Sequence, residues 1–182
     1  MTHQESLIES SRILLEGKDE AIAIRSILVK EFRLSSRDVS VKTQYGGTSS
    51  MVWVELKTTK ALPFISKIKG IADDFDKYTT DGQGEILQGG NTFIQVSIDY
   101  DFEVSLRNMI NNEFKKQSKN GFSLGDKVKL FKTFTVHFYD RGLIMVSVGT
   151  KTLSTTDVSG IGSTVLSFIE KYAKTELYAK IK

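Results

Sequence analysis

Three short segments alternate aliphatic and polar residues with a period of two. They are Val39 and Val41 around Ser40 and Lys42, Val52 and Val54 around Trp53, and Ile94, Val96 and Ile98 around Gln95 and Ser97. In a strand that period sends every aliphatic side chain to one face and its neighbours to the other. Such a chain is bound to build a sheet with one covered face. The opposite face then carries Ser40, Lys42, Trp53, Phe93, Gln95 and Ser97. Gly46-Gly47-Thr48-Ser49-Ser50 supplies turn chemistry between the first two segments and predicts a hairpin.

The cover comes from segments with helical spacing. Ile24, Ile27, Leu28 and Phe32 predict a helix from Asp19 to about Arg33, with Asp19 and Glu20 at the positive end of its dipole. A separate docking helix over residues 1–18 is expected to stop at Gly17. Pro63 suits a first helical turn, and Ile65, Ile68, Ile71, Ala72 and Phe75 continue as a stripe. Residues 77–91 read as a Gly- and Asp-rich loop.

Beyond Asp101, Leu106, Met109, Ile110 and Phe114 predict a helix closed by Asn120-Gly121. Val128, Leu130, Phe134, Val136 and Phe138 share one face of what reads as a single long strand. Asp140-Arg141-Gly142 then turns the chain into Leu143–Val148. Val165, Leu166, Ile169, Tyr172, Ala173 and Leu177 mark a last helix. The expected class is α+β: antiparallel sheets with helices packed on one face, in helix-strand-strand-helix units. The halves fall at residues 1–100 and 101–182, as two domains or one continuous domain.

Composition bounds the chemistry. The 182 residues include no cysteine, which removes disulfides, thiolate nucleophiles and cysteine metal sites. The N-terminus lacks the basic and apolar regions of a signal peptide, and no run is long enough to span a membrane, so the expectation is a cytoplasmic protein that contacts no membrane. Net charge is only +3, but it is concentrated in the second half, where an anionic partner is favoured.

Trp53 and Phe93 beside Lys42 and Gln95 would make a platform on which nucleic-acid bases stack. The competing explanation is that another element covers this face and Trp53 is core. Lys115, Lys116, Lys119, Lys127, Lys129 and Lys132 fall within 18 residues whose only acid is Asp126. They suit phosphates, or else form a solvated edge that discourages strand pairing. Ser159-Gly160-Ile161-Gly162-Ser163-Thr164 opens the last helix and offers amides to an anion, or is an ordinary helix entry. Asp73, Asp74, Asp76, Asp81 and Glu85 gather without the spacing of a calcium loop. His137 near Asp140 is the one acid–base candidate, against a plain surface histidine, and two histidines cannot build a metal cluster. No metal and no cofactor is expected.

Residues 19–100 carry a further signal. Ala21-Ile22-Ala23-Ile24-Arg25-Ser26-Ile27-Leu28, Val39-Ser40-Val41-Lys42 and Gly46-Gly47-Thr48-Ser49-Ser50-Met51-Val52-Trp53-Val54 are followed by Ile71-Ala72-Asp73-Asp74-Phe75-Asp76 and Gly84–Ile94. Together they resemble the large polyvalent protein associated domains of phages and conjugative elements. The resemblance implies a mobile-element setting in a bacterial host and carries no catalytic residue. The resulting expectation is a non-enzymatic accessory protein that binds nucleic acid or a host defence complex, as a counter-defence, anti-CRISPR-like inhibitor does. An exposed Trp53 face would favour a homodimer. The alternative is a small hydrolase or phosphate-ligand-binding protein using His137 or Gly160–Thr164.

Overall fold

The computed structural model describes residues 3–46, 49–75, 78–80, 86–89, 92–118 and 121–181. The chain divides into two compact units, residues 1–99 and 100–182. The class is α+β.

In the first unit, helix α1 (His3–Phe32) precedes strands β1 (Val39–Gly46) and β2 (Ser49–Leu56). A 3-10 turn at Leu62–Phe64 leads into α2 (Ile65–Phe75), and β3 (Tyr78–Thr80) and β4 (Ile86–Gly89) form a small ribbon before β5 (Thr92–Ile98). The main sheet has the order β1-β2-β5. β1 and β2 are antiparallel, Val41 opposite Val54, whereas β2 and β5 run parallel, Val54 opposite Val96. The parallel pair follows from α2, a crossover long enough to return the chain to the same end of the sheet. Val39, Val41, Val52, Val54 and Leu56 are buried, together with Ala21, Ile24 and Leu28 of α1 and Ile65, Ile68 and Ala72 of α2.

α1 does not stop at Gly17. It is one helix of 30 residues, so the expected docking helix and the helix from Asp19 are a single element. Gly17 has no side chain because α1 touches the sheet there: an added Cβ would lie 2.5 Å from Ser50 Oγ. A glycine that reads as a stop signal is a contact point instead. Ser50, buried on the sheet, shares a 2.8 Å hydrogen bond with Thr92 on the neighbouring strand.

Asp38 fastens the loop before β1 to the loop after β2. Its carboxylate accepts from the Ser35 amide and hydroxyl, each at 2.9 Å, from Thr58 Oγ1 at 3.0 Å and from Lys60 Nζ at 3.2 Å. The Ser35 amide foremost, opposed by burial and helped by the Ser35, Lys60 and Thr58 side chains, holds the carboxyl well below its ordinary value of 3.8.

The second unit begins with α3 (Tyr100–Gln117), continues through β6 (Lys127–Leu130), β7 (Phe134–Phe138), β8 (Ile144–Val148) and β9 (Lys151–Thr155), and ends with α4 (Ile161–Lys171) and a 3-10 helix at Thr175–Lys180. The four strands form an antiparallel meander in sequence order. The single long strand expected over residues 128–138 is a hairpin. Phe131 and Lys132 take left-handed φ values of 51° and 59°, so the chain reverses between Leu130 and Phe134. Because those two residues are direct partners, Val128 to Phe138 still share a face. The last helix is shorter than its apolar pattern suggests: Ala173 is left-handed (φ 49°) and breaks it before Leu177. Of the expected Asn120-Gly121 cap, Asn120 lies outside the described residues, while Gly121 is left-handed (φ 79°) and its amide donates to the Ser118 carbonyl at 3.0 Å.

α3 and α4 cross closely. A Cβ on Gly162 would fall 2.6 Å from the Arg107 carbonyl oxygen. Phe114, Phe122 and Phe138 stack in series with centroids 4.7 and 4.2 Å apart, and Phe134 meets Phe168 edge-on. Tyr178 is fully buried, and its hydroxyl has no hydrogen-bond partner among the described residues. Burial, with Glu170 and Glu103 adding negative charge nearby, pushes that phenol upward.

Three stability measurements check this packing. Asp38→Asn should lower the unfolding free energy at neutral pH by about 1–3 kcal/mol, the cost of weakening a buried charge-assisted network. Since the folded carboxyl titrates below the unfolded one, wild-type stability from this group is complete above the ordinary value of 3.8 and is lost as pH falls beneath it. Denaturation at pH 7 and pH 3 should therefore show a smaller acid-induced loss in the variant. Gly162→Ala should cost about 1–3 kcal/mol through overpacking. Tyr178→Phe removes an unpartnered buried hydroxyl and should raise stability by about 1 kcal/mol; a loss of that size would show that the hydroxyl is bonded.

Candidate functional site

The register of β1, β2 and β5 sets a grid of three rows on the face opposite the helices. Lys42, Trp53 and Gln95 are partners in one row, Gln44, Met51 and Phe93 in the next, and Ser40, Glu55 and Ser97 in the third. Lys42, Trp53, Phe93 and Gln95 are thus brought together, with Trp53 on the central strand. Phe93 is 50% exposed, Lys42, Gln44 and Gln95 are exposed, and Met51 and Trp53 are half-buried. Trp53 points away from Val52 and Val54. Its Nε1–H is shielded from solvent and has no partner among the described residues.

The electrostatics of this face are balanced. Lys42 Nζ sits 3.0 Å from Glu55 Oε2, diagonally across the β1–β2 ladder, since Lys42 pairs with Trp53 and Glu55 with Ser40. The lysine expected beside Trp53 is therefore half of an ion pair, which adds little stability at this exposure but cancels the local charge. Glu55 and Met51 are functional neighbours that the sequence reading missed. Counting back from the Gly46–Ser49 hairpin end would have placed Glu55 opposite Ser40 and one step from Lys42. At the free edge of β5, Met51 and Phe93 also border an open cleft of about 410 Å³ shared with Lys69 and Asp73 of α2.

The lysines lie in the other unit. Lys115 and Lys116 sit in the last turn of α3, Lys127 and Lys129 on β6, and Lys132 in the left-handed turn after it. Lys119 lies outside the described residues. Lys116 and Lys127 border one cleft of about 360 Å³, although Lys116 also approaches Glu113 at 3.9 Å. Lys127 and Lys129 project from the sheet face opposite the core. Lys127 is in register with His137, then Met145 and Ser154; Lys129 is in register with Thr135, then Ser147 and Thr152.

The remaining candidates are occupied. The Gly162 amide donates to Asn111 Oδ1 at 2.9 Å, and Asn111 Nδ2 donates to the Ser159 carbonyl. Asp157 accepts from the Ser159 hydroxyl and amide, which in that order hold its carboxyl below the ordinary range. The start of α4 thus carries its own anion and a carboxamide cap, where an incoming phosphate would meet negative charge. His137 packs against Tyr139 with centroids 4.0 Å apart and the rings tilted by 48°, and Asp140 accepts from the Arg141 amide. Asp73 and Asp74 are exposed on α2; Asp76, Asp81 and Glu85 lie outside the described residues. Among the described residues no group of three His, Asp or Glu is placed to hold a metal, and no helix is long and apolar enough to cross a membrane. Compared with known proteins, the chain matches no family model, no curated protein and no solved structure.

Proposed function

We propose that this chain is a non-enzymatic binding protein, an accessory of a phage or other mobile element, whose first unit docks a protein partner on the open face of its main sheet. The observation that carries this reading is the cluster of Met51, Trp53 and Phe93 on that face, two of them on the central strand and one on its edge neighbour. Tryptophan, phenylalanine and methionine are enriched where proteins meet, and a few such anchors ringed by neutral polar groups supply most of the binding energy. Here the ring is Ser40, Gln44, Gln95 and Ser97.

Charge favours protein over nucleic acid at this site. Stacking platforms for single strands combine aromatic residues with unpaired cations that track phosphates, and the one cation on this grid is paired with Glu55. The mobile-element setting comes from the resemblance of residues 19–100, and it points to a host defence complex as the partner. The Gly162 amide is already bonded to Asn111 Oδ1, and Asp140 accepts from the Arg141 amide; both support binding over hydrolysis.

The test uses Phe93→Ser, which replaces a half-exposed edge-strand residue and leaves the core untouched. Tagged wild-type chain in a bacterial host lysate should recover one stoichiometric protein complex, and the variant should bind it at least 30-fold more weakly, as expected for a hot-spot residue. Unchanged recovery with a correctly folded variant would remove this face from the reading. Single-stranded oligonucleotide binding that Phe93→Ser abolishes would transfer the face to nucleic acid.

A further inference from the structure

The outer face of the β6–β9 sheet differs from the Trp53 face in one respect that chemistry can use: it carries cations and no acids. Its two central rows consist of two lysines, one histidine, one methionine and four hydroxyl residues. The unit that bears it, residues 100–182, has 13 Lys/Arg against 8 Asp/Glu, whereas residues 1–99 have 12 against 14. Two exposed acids flank these rows along the chain: Asp126, which accepts from the Ser123 amide at 2.7 Å and borders one cleft with Lys127, and Asp140, which accepts from the Arg141 amide at 2.8 Å. Lys127 and Lys129 are exposed and make no ion pair among the described residues.

We infer that this face binds single-stranded nucleic acid. Lys127 and Lys129 lie two residues apart on one strand, about 6.8 Å, and would hold successive phosphates of a backbone running along the edge of the sheet. The next residue inward from Lys127 is His137, whose ring meets the 40% exposed Tyr139 at a tilt of 48°. That pair offers an aromatic surface to a base at the point where its phosphate is held. The hydroxyls of Thr135 and Thr152 lie on the row that runs from Lys129 across the sheet, with Ser147 between them donating to the Thr135 carbonyl at 3.3 Å, and they give hydrogen bonds that do not depend on base identity. This arrangement of cations along a groove edge with aromatic rings behind them is the one that sequence-tolerant single-strand binding requires. Nothing in it depends on the Trp53 face.

The alternative explanation for lysines on β6 is protection of an edge strand from pairing with another chain. Binding of a labelled oligothymidine to the full chain separates the two. Retardation should be clear at about 50 mM salt and fall steeply by about 200 mM. Lys127→Gln with Lys129→Gln should flatten the slope of log K against log salt by about 1.4, that is, about 0.7 for each phosphate contact removed on a single strand. Lys67→Gln with Lys69→Gln, the same loss of charge on exposed positions of α2, should leave the slope unchanged. His137→Ala should weaken binding about tenfold at fixed salt, and Phe93→Ser should not. No retardation at low salt overturns the proposal, as does an equal loss in both lysine pairs, which would mean net charge alone. Aggregation of the β6 variant without a change in slope would establish edge protection. Lysine-dependent capture by vesicles containing phosphatidylserine, with no oligonucleotide binding, would assign the face to a membrane surface and overturn it too.

Discussion

The cross-strand register that aligns Val41, Val54 and Val96 governs the first unit. A strand offers only two directions to its side chains, so fixing which valines lie under α1 and α2 fixes what faces away. A slip of one residue would bury Lys42, Trp53 and Gln95 and expose the valines. The slip is opposed from several sides. Gly17 lets α1 approach Ser50 within contact, Ser50 bonds Thr92 on the next strand, and Asp38 ties the two loops at the other end of the sheet. The open grid is thus the residue of packing decisions made on the opposite face.

The two units each leave one face of a sheet uncovered by their own helices, and the two faces differ in kind. In the first, a single lysine meets a single glutamate and the exposed surface is left to Met51, Trp53 and Phe93. In the second, two lysines stand on an edge strand with hydroxyls and a histidine behind them and no carboxylate among them. Dispersion and desolvation dominate the first, and long-range attraction of anions the second.

Much of the covered side was legible from residue order. Alternation over residues 39–42, 52–54 and 94–98 needs no distant information, because the pleat imposes it locally. The same rule kept Val128 to Phe138 on one face even though the chain reverses between them. What local pattern missed are features whose cause lies elsewhere in the chain. Lys151–Thr155 has one apolar residue, Leu153, and is a strand because β8 lies beside it. Gly17 looks like a helix stop until Ser50 is seen against it. The start of α4 looks like an anion site until Asn111, 51 residues before Gly162, caps it.

For this protein the sequence alone determined the α+β class, which residues share a face in the strands whose alternation it displays, and which chemistries lack the residues to occur. Those follow from the two-residue repeat, the helical repeat and the absence of cysteine, all properties of neighbours along the chain. Only the tertiary structure decided that β2 and β5 run parallel, that Lys42 pairs with Glu55 while Lys127 and Lys129 make no ion pair among the described residues, and that Trp53 and the described lysines of the cluster belong to different units. Pairing and charge balance depend on which strands lie side by side, and that is set by long-range packing rather than by sequence separation.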